Sequence, residues 1–414
     1  MYGAPIAPSI DIMTENENPG WIDRVRRIAS EFRDELERTG HALGIGETQP
    51  YGIVAYRGFS HGTRALVHGR ALEAEDLTPA TATDSTWQNL LNTFKRFDSE
   101  PLAHARIEVR AAGTAREIVA DDEGFFRAWI ELPKPLPTNA PWQPVELRLV
   151  SPLRPDQPDV RATAQLRVLA DTPTFGIISD LDDTVIQSRI TSFLQAARTV
   201  MLGNARTRLP FPGVAAFYQA LEKGGDGRRL NPIFYVSSSP WNIYDIIIDF
   251  MEAQRIPIGP IHLRDWDINL AALSPSRHQN FKEPVIREVL ELYPELPFIL
   301  IGDNSQHDPE IYRSIIDSHP GRILAIYIRN VDADPARSTE IQTLAKHVVA
   351  AGSALVLADD TYAAAIHAAE QGWITTESLP SIREEKKADE GKTGTKADAP
   401  GFPDEPKAPT IVVE

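Results

Sequence analysis

Cysteine is absent from the 414 residues. That excludes a disulfide framework, a thiolate metal site and a cysteine nucleophile, and it agrees with a reducing compartment. Net positive charge is missing too: 42 Lys and Arg stand against 58 Asp and Glu, leaving −16 at pH 7. So acidic a chain has no bulk basic surface with which to displace counterions, so no nucleic-acid partner is expected and any contact with anionic lipid must be local. Long apolar runs are lacking as well. The most apolar late stretch, residues 347–369, is interrupted by Asp359 and Asp360 and does not read as a membrane span. The opening MYGAPIAPSIDIMTENENPG has no basic start ahead of an apolar core, so no secretory signal is expected. The expectation is a cytoplasmic protein, peripheral to a membrane at most.

What is present is the composition of a folded soluble protein, 42% hydrophobic and 24% charged. The length exceeds one ordinary core, which predicts two domains plus tails. Residues 1–20 read as a flexible leader. Over 21–45, Trp21, Ile22, Val25, Ile28, Phe32 and Leu36 recur at helical spacing among arginines, predicting an amphipathic helix that docks on its own domain or touches lipid. From 46 to 170 short segments alternate apolar and polar residues, as in PVELRLV, where Val145, Leu147 and Leu149 share one face. That pattern predicts half-buried strands and a β-sandwich-like domain. Trp87, Leu90, Leu91, Phe94 and Phe97 mark one helix among them. Near Asp171 the pattern changes to continuous apolar strands alternating with helices, so 171–378 is expected to be α/β, a doubly wound parallel sheet. Residues 379–414 are charged and rich in Pro and Gly without periodicity, and are expected to be a disordered tail.

Chemistry concentrates in the α/β part. FGIISDLDDT (175–184) is an apolar strand ending in Asp180 and Asp182, whose alternate spacing turns both carboxylates to one side. IFYVSSSP (233–240) ends in Ser237 and Ser238, Lys282 opens a helical pattern, and FILIGDNSQHD (298–308) closes on Asp303 and Asp308. Each has an ordinary account when taken singly: an Asp-rich turn, a serine cap, a solvated lysine. In an open parallel sheet, however, ligands bind beyond the carboxyl ends of the strands, so these ends converge on one crevice.

Four features in this order resemble the haloacid dehalogenase superfamily of phosphotransferases. PIHLRDW (260–266), SPW (239–241), GDNSQHDPEIY (302–312) and ILAIYIRNV (323–331) narrow the resemblance to phosphatidate phosphatases of the actin-patch-protein type and their bacterial relatives. It covers residues 171–331 well and the β-rich part loosely. Two positions depart from it, with Phe281 in place of a His before the lysine and Asn304 in place of a Ser after the GD pair. The resemblance implies a phosphatase working through an aspartyl phosphate, with Asp180 as nucleophile and Asp182 as acid and base. Ser237 and Lys282 would hold and neutralise the phosphate. Asp180, Asp303, Asp308 and the Asp182 main-chain carbonyl would form a metal site. Four carboxylates in one crevice repel one another unless a cation intervenes, and a donor set of oxygens alone favours Mg²⁺ over Zn²⁺. Thr184 is expected to orient Asp180. Ser238, Arg264 and Thr184 are candidates for substrate contact, Arg264 on the resemblance alone.

The interval from Ser237 to Lys282 leaves no room for a full lid, so the crevice is expected to be open to a large substrate. ITSFLQAARTVML (190–202) carries an apolar helical stripe with Arg189, Arg198, Arg206 and Arg208 nearby. Ordinary packing accounts for it; an approach for a phospholipid is the sharper reading. Phosphatidate is therefore the leading substrate, yielding diacylglycerol and phosphate. The alternatives are a phosphoprotein or a nucleic-acid end, or a β-sandwich binding module carried on an inert α/β scaffold.

Overall fold

The computed structural model describes residues 50–73, 100–169, 173–181, 184–185, 211–264, 281–331, 335–394 and 411–413. The leader, the expected helices at 21–45 and 190–202, the Trp87 stripe and Asp182 lie outside them. The described residues all belong to one compact unit, Gln49–Ser188 with Ala205–Glu414. It is a mixed α/β structure with two sheets.

The first sheet has eight strands: β1 (Tyr51–Ala55), β2 (Gly58–His61), β3 (Arg64–Glu73), β4 (Arg106–Ala111), β5 (Thr114–Val119), β6 (Phe125–Glu131), β7 (Trp142–Ser151) and β8 (Arg161–Val168). They run in the order β1-β3-β2-β8-β7-β4-β5, with β6 on β3. All pairs are antiparallel except β2 with β8. The sandwich expected from alternation is thus one hydrogen-bonded sheet, whose inward residues share a core of Ile107, Leu147, Leu149 and Leu166. Alternation in β7 does what the sequence suggests, burying Val145, Leu147 and Leu149 and leaving Glu146 and Arg148 at the edge of solvent. Between β4 and β5 the chain turns in two residues, Ala112 and Gly113, both at positive φ, the geometry that matches strand twist in a tight hairpin. Strand β2 was not legible: GFSH is four residues long and does not alternate.

The second sheet holds β9 (Gly176–Asp180), β10 (Ile233–Pro240), β11 (Ile261–Arg264), β12 (Phe298–Asp303), β13 (Ile323–Arg329), β14 (Ala354–Ala358) and β15 (Ile411–Val413), in the order β11-β10-β9-β12-β13-β14-β15. The first six in that order are parallel and β15 is antiparallel. Every residue of β9 and β12 is buried, as continuous apolar strands covered on both faces must be. The helices are α1 (Val214–Lys223), α2 (Tyr244–Ala253), α3 (Lys282–Leu292), α4 (Asp308–Ser318), α5 (Pro335–Ala350), α6 (Thr361–Glu370) and α7 (Leu379–Gly394). Strand order departs from β9 in one direction through β10 and β11 and in the other through β12 to β14. The switch point therefore lies between β9 and β12, where such sheets open a crevice.

Two corrections concern the C-terminal part. Residues 379–394 are helical, and 411–413 add an edge strand to β14, where a disordered tail was expected. The physical reason is docking. Ile382 is fully buried, and Asp389 and Glu385 accept the Gly213 and Ala216 N–H groups at 3.2 and 3.1 Å, which are unpaired donors at the start of α1. Lys386 pairs with Asp360 at 2.5 Å. Charges that looked merely solvated in the sequence are tertiary caps.

The sheets are joined by aromatic packing. Phe59 of β2 is fully buried with ring centroids 5.3 Å from Phe234 and 5.5 Å from His262, and it belongs to the same core as Phe298 and Tyr312. Trp129 Nε1 donates to Glu288 of α3 at 2.7 Å.

Candidate active site

Asp180 is the last residue of β9, and its pairing with Val236 puts Ser237 one residue further along the adjacent strand. On the other side Ser179 pairs with Ile301, so Gly302 is level with Asp180 and Asp303 is one beyond. Three neighbouring strands thus deliver Asp180, Ser237 and Asp303 to one end of the sheet. Two helix starts supply the rest. Lys282 is the first residue of α3 and Asp308 the first of α4. An acidic group and a following proline suit the start of a helix; a buried lysine there opposes the helix dipole and needs compensation from elsewhere.

Asp308 and Asp180 compensate it. Lys282 Nζ lies 2.8 Å from Asp180 Oδ1 and 2.5 Å from Asp308 Oδ1, and donates to Gln306 Oε1 at 3.3 Å. Burial alone would lower the Lys282 pKa, but the two carboxylates outweigh it and the pKa is raised, so the ammonium stays charged. Oxygen atoms of Asp180, Asp303 and Asp308 all lie within 4.8 Å of one another. Asp308 Oδ2 also accepts the Asp303 N–H at 3.3 Å. Gly302 is required beneath it, because a Cβ there would stand 2.5 Å from Asp308 Oδ2.

Asp303 is held asymmetrically. Its Oδ1 accepts the Ser305 N–H at 2.7 Å, the Ser305 hydroxyl at 2.5 Å and the Gln306 N–H at 3.2 Å. Its Oδ2 is buried with no hydrogen-bond partner. Burial, then the neighbouring Asp308, pushes the Asp303 carboxyl up to about 6 against the pull of the Ser305 hydrogen bonds and Lys282. An orphaned buried carboxylate oxygen is costly unless something positive meets it. Three carboxylates against one ammonium leave two negative charges in the cluster, and every donor is oxygen. That set fits a small divalent cation such as Mg²⁺.

The remaining candidates sit as follows. Thr184 Oγ1 is 3.5 Å from Asp180 Oδ2. Ser237 is buried, and its Oγ accepts the Ser239 N–H at 3.0 Å, folding the chain back after the strand. Ser238 is half-buried beside it. Arg264 ends β11, two strands from Asp180, and pairs in register with Pro240. Phe281 packs on the core under α3. Asn304 links strand ends: its Oδ1 accepts the Val331 N–H at 2.7 Å and its Nδ2 donates to Asn330 at 2.8 Å.

Sequence reasoning missed two supports. Arg337 of α5 donates to the Asn304 and Gln306 carbonyls at 3.1 and 2.9 Å and pairs with Glu310 at 2.5 Å, clamping the loop that carries Asp303. The β half grips the segment after Ser237: Tyr56 stacks on Trp241 with centroids 4.5 Å apart, and the Arg57 N–H donates to the Tyr244 hydroxyl at 2.9 Å. His262, one of the residues of PIHLRDW, is buried against His68, with centroids 6.1 Å apart.

Residues 175–330 match the family model described as the catalytic domain of phosphatidate phosphatase APP1. Phosphatidate phosphatase APP1 of Saccharomyces cerevisiae is 32% identical over 155 residues, 37% of this chain and 25% of the yeast protein. An uncharacterized protein of Schizosaccharomyces pombe is 28% identical over 167 residues, 40% of this chain and 26% of that protein. The chain therefore spans about a quarter of the length of these curated relatives. Among solved structures, a carbohydrate acetylesterase from Xanthomonas citri matches at 13% identity over 71% of this chain and 72% of that one, with a TM-score of 0.23. So slight a likeness carries no argument. The resemblance to APP1-type phosphatidate phosphatases expected from the motifs is shown over residues 175–330, and Arg337 lies outside that stretch.

Proposed function

We propose that this chain is a Mg²⁺-dependent phosphatase of haloacid dehalogenase type that hydrolyses phosphatidate to diacylglycerol and phosphate. The observation that carries the reading is the buried cluster of Asp180, Asp303, Asp308 and Lys282 at the switch point of the parallel sheet. The similarity of residues 175–330 to the APP1 catalytic domain supports the substrate class.

The Asp180 carboxylate attacks phosphorus, forming an O–P bond as the bond to the departing alcohol oxygen breaks, which divides one difficult displacement into two easier ones. Asp182, two residues on, gives its proton to that alcohol. It then takes a proton from the water that cleaves the aspartyl phosphate, restoring Asp180 and releasing phosphate. The role of Asp182 rests on its spacing and on the resemblance. Lys282, kept charged by its partners, offsets negative charge on the transferring group, and Ser237 offers a hydroxyl at the end of the next strand. Asp180, Asp303, Asp308 and the Asp182 carbonyl would hold the cation, which when bound supplies charge neutralisation and orients the phosphate. No helix among the described residues is long and apolar enough to cross a membrane, so a lipid substrate would be met from the surface.

The test is a substrate panel with Mg²⁺ or EDTA: phosphatidate in mixed micelles, an aryl phosphate, a phosphopeptide and a 3′-phosphorylated oligonucleotide. Phosphatidate turnover that needs Mg²⁺ and disappears in Asp180→Asn is the expected result. Activity surviving Asp180→Asn rejects the nucleophile; turnover of the peptide or oligonucleotide in preference to the lipid rejects the substrate.

A further inference from the structure

At Ser237 the regular pairing that supports β10 gives out. The ladder to β9 runs as far as Val236 with Asp180, and the ladder to β11 shifts register between Val236 and Pro240. Irregularity of this kind beside a site re-aims side chains, and it gives up the pairing that would otherwise hold them. The helix that follows does not secure the segment either, since Ile243, the residue before α2, makes no side-chain capping hydrogen bond. Within the segment the Ser239 N–H donates to Ser237 Oγ at 3.0 Å, tying the two serines into one unit.

What holds the far end of that unit comes from the first sheet. The Tyr56 ring stacks on Trp241, with centroids 4.5 Å apart and planes 17° from parallel, and it lies 4.6 Å from the Tyr244 ring. His68 of β3 meets the Trp241 ring edge-on at 5.0 Å. The Arg57 N–H donates to the Tyr244 hydroxyl at 2.9 Å, and the Arg57 carbonyl accepts the His68 Nε2–H at 3.0 Å, so the clamp is tied to itself as well as to its load. Tyr56, Trp241 and Tyr244 are all buried. Close aromatic pairs stabilise beyond the area they cover, and dense packing transmits a displacement rather than absorbing it.

We propose that Tyr56 is a positioning residue for phosphoryl transfer. Through Trp241 it fixes the segment from Ser237 to Ser239, so that the first sheet serves the reaction instead of standing apart as a binding module. The inference rests on the phosphatase reading and adds what keeps its phosphate-facing serine in place. Trp241 is four residues from Ser237. A shift of about 1 Å at a group that orients a reacting phosphate can cost about 100-fold in rate.

A double-mutant cycle on the full chain, read as kcat for phosphatidate in mixed micelles with Mg²⁺, tests it. Tyr56→Ala is expected to lower kcat by about 10- to 100-fold, and Tyr56→Phe, which keeps the ring, to restore it to within about twofold of the parent. In a Ser237→Ala background the same Tyr56→Ala change is expected to cost less than about threefold, because the group it positions is already gone. Tyr56→Leu, which leaves a smaller cavity, enters the cycle in parallel, and circular dichroism confirms that each variant is folded. Leu147→Ala opens a cavity in the core of the first sheet and controls for general loosening; its kcat is expected within about twofold of the parent. An unchanged kcat in folded Tyr56→Ala or Tyr56→Leu overturns the positioning role while leaving the phosphatase standing. Equal losses in both backgrounds, or a Leu147→Ala loss as large as that of Tyr56→Ala, do the same. If the parent itself turns over no phosphatidate, the reading beneath this inference fails and the inference with it.

Discussion

Replacing Lys282 with methionine keeps its length and removes its charge, leaving Asp180, Asp303 and Asp308 buried together with no cation beside them. The two contacts, at 2.8 and 2.5 Å, are each worth about 6 kcal/mol at an effective dielectric of 20. Desolvation of three buried ions opposes that by several kcal/mol each, so the net value of the cluster is far smaller than the sum. Removing one partner of such a buried set typically costs about 3–5 kcal/mol, because charges stay buried without compensation. Lys282→Met is therefore expected to lower the urea-derived unfolding free energy by about that amount at pH 7.5 without metal. The loss should shrink on acidification. The folded Asp303 carboxyl is already raised above its unfolded value and loses the opposing pull of Lys282 in the variant, so its charged form destabilises the fold above that range and ceases to do so as it protonates. Asp303, already near 6 with the lysine present, would be the first to respond. Urea titrations of both proteins at pH 7.5 and 5.5, with and without Mg²⁺, give four differences to compare. If the variant lies within about 1 kcal/mol of the parent at pH 7.5, the ammonium does not hold this cluster together and the electrostatic account is wrong.

Two further outcomes are expected. Arg337→Ala removes the donors to the Asn304 and Gln306 carbonyls. It should loosen the Asp303 loop and weaken Mg²⁺ binding, read by calorimetry, by roughly 10- to 100-fold, the usual cost of losing an outer-shell support; unchanged affinity would show that the loop holds its own shape. His68 and His262 are both held neutral, chiefly by burial and then, for His262, by the adjoining His68, with Arg127 adding to the effect on each and a hydrogen bond to Arg57 opposing it on His68. The His68 pKa falls to about 4, so the unfolded chain takes up a proton below 6.5 that the folded chain refuses. Stability is full above that pH and declines as pH falls toward 4, by about 2 kcal/mol between pH 6.5 and 5 for this one histidine. Denaturation of the parent and His68→Gln across that range should show the shallower slope in the variant; identical slopes would mean that His68 is charged in the fold.

Much of the site was legible because it rests on local pattern. Asp180, Ser237 and Asp303 each end a continuous apolar strand, and the rule that parallel strands present their carboxyl ends to one crevice brings them together without any knowledge of distance. Asp308 and Lys282 start helices whose periodicity is plain in DPEIYRSIIDS and KEPVIREVLEL. Illegible were contacts between residues far apart in the chain. Tyr56 on Trp241, Arg57 on Tyr244 and Arg337 on the Asp303 loop connect segments that no window or period relates. The end of the chain misled for the same reason: Asp389 and Glu385 resemble solvated charge until Gly213 and Ala216 are seen to need acceptors.

Local sequence alone determined which residues carry chemistry and at which strand ends they stand, since side-chain alternation and apolar runs are properties of a few consecutive residues. Tertiary structure decided the rest. It decided that Lys282 spans two carboxylates rather than reaching solvent, that Asp303 keeps one oxygen unmatched, and that the β sheet braces the segment after Ser237. Each of these depends on distances between elements, which packing sets and no stretch of sequence encodes by itself.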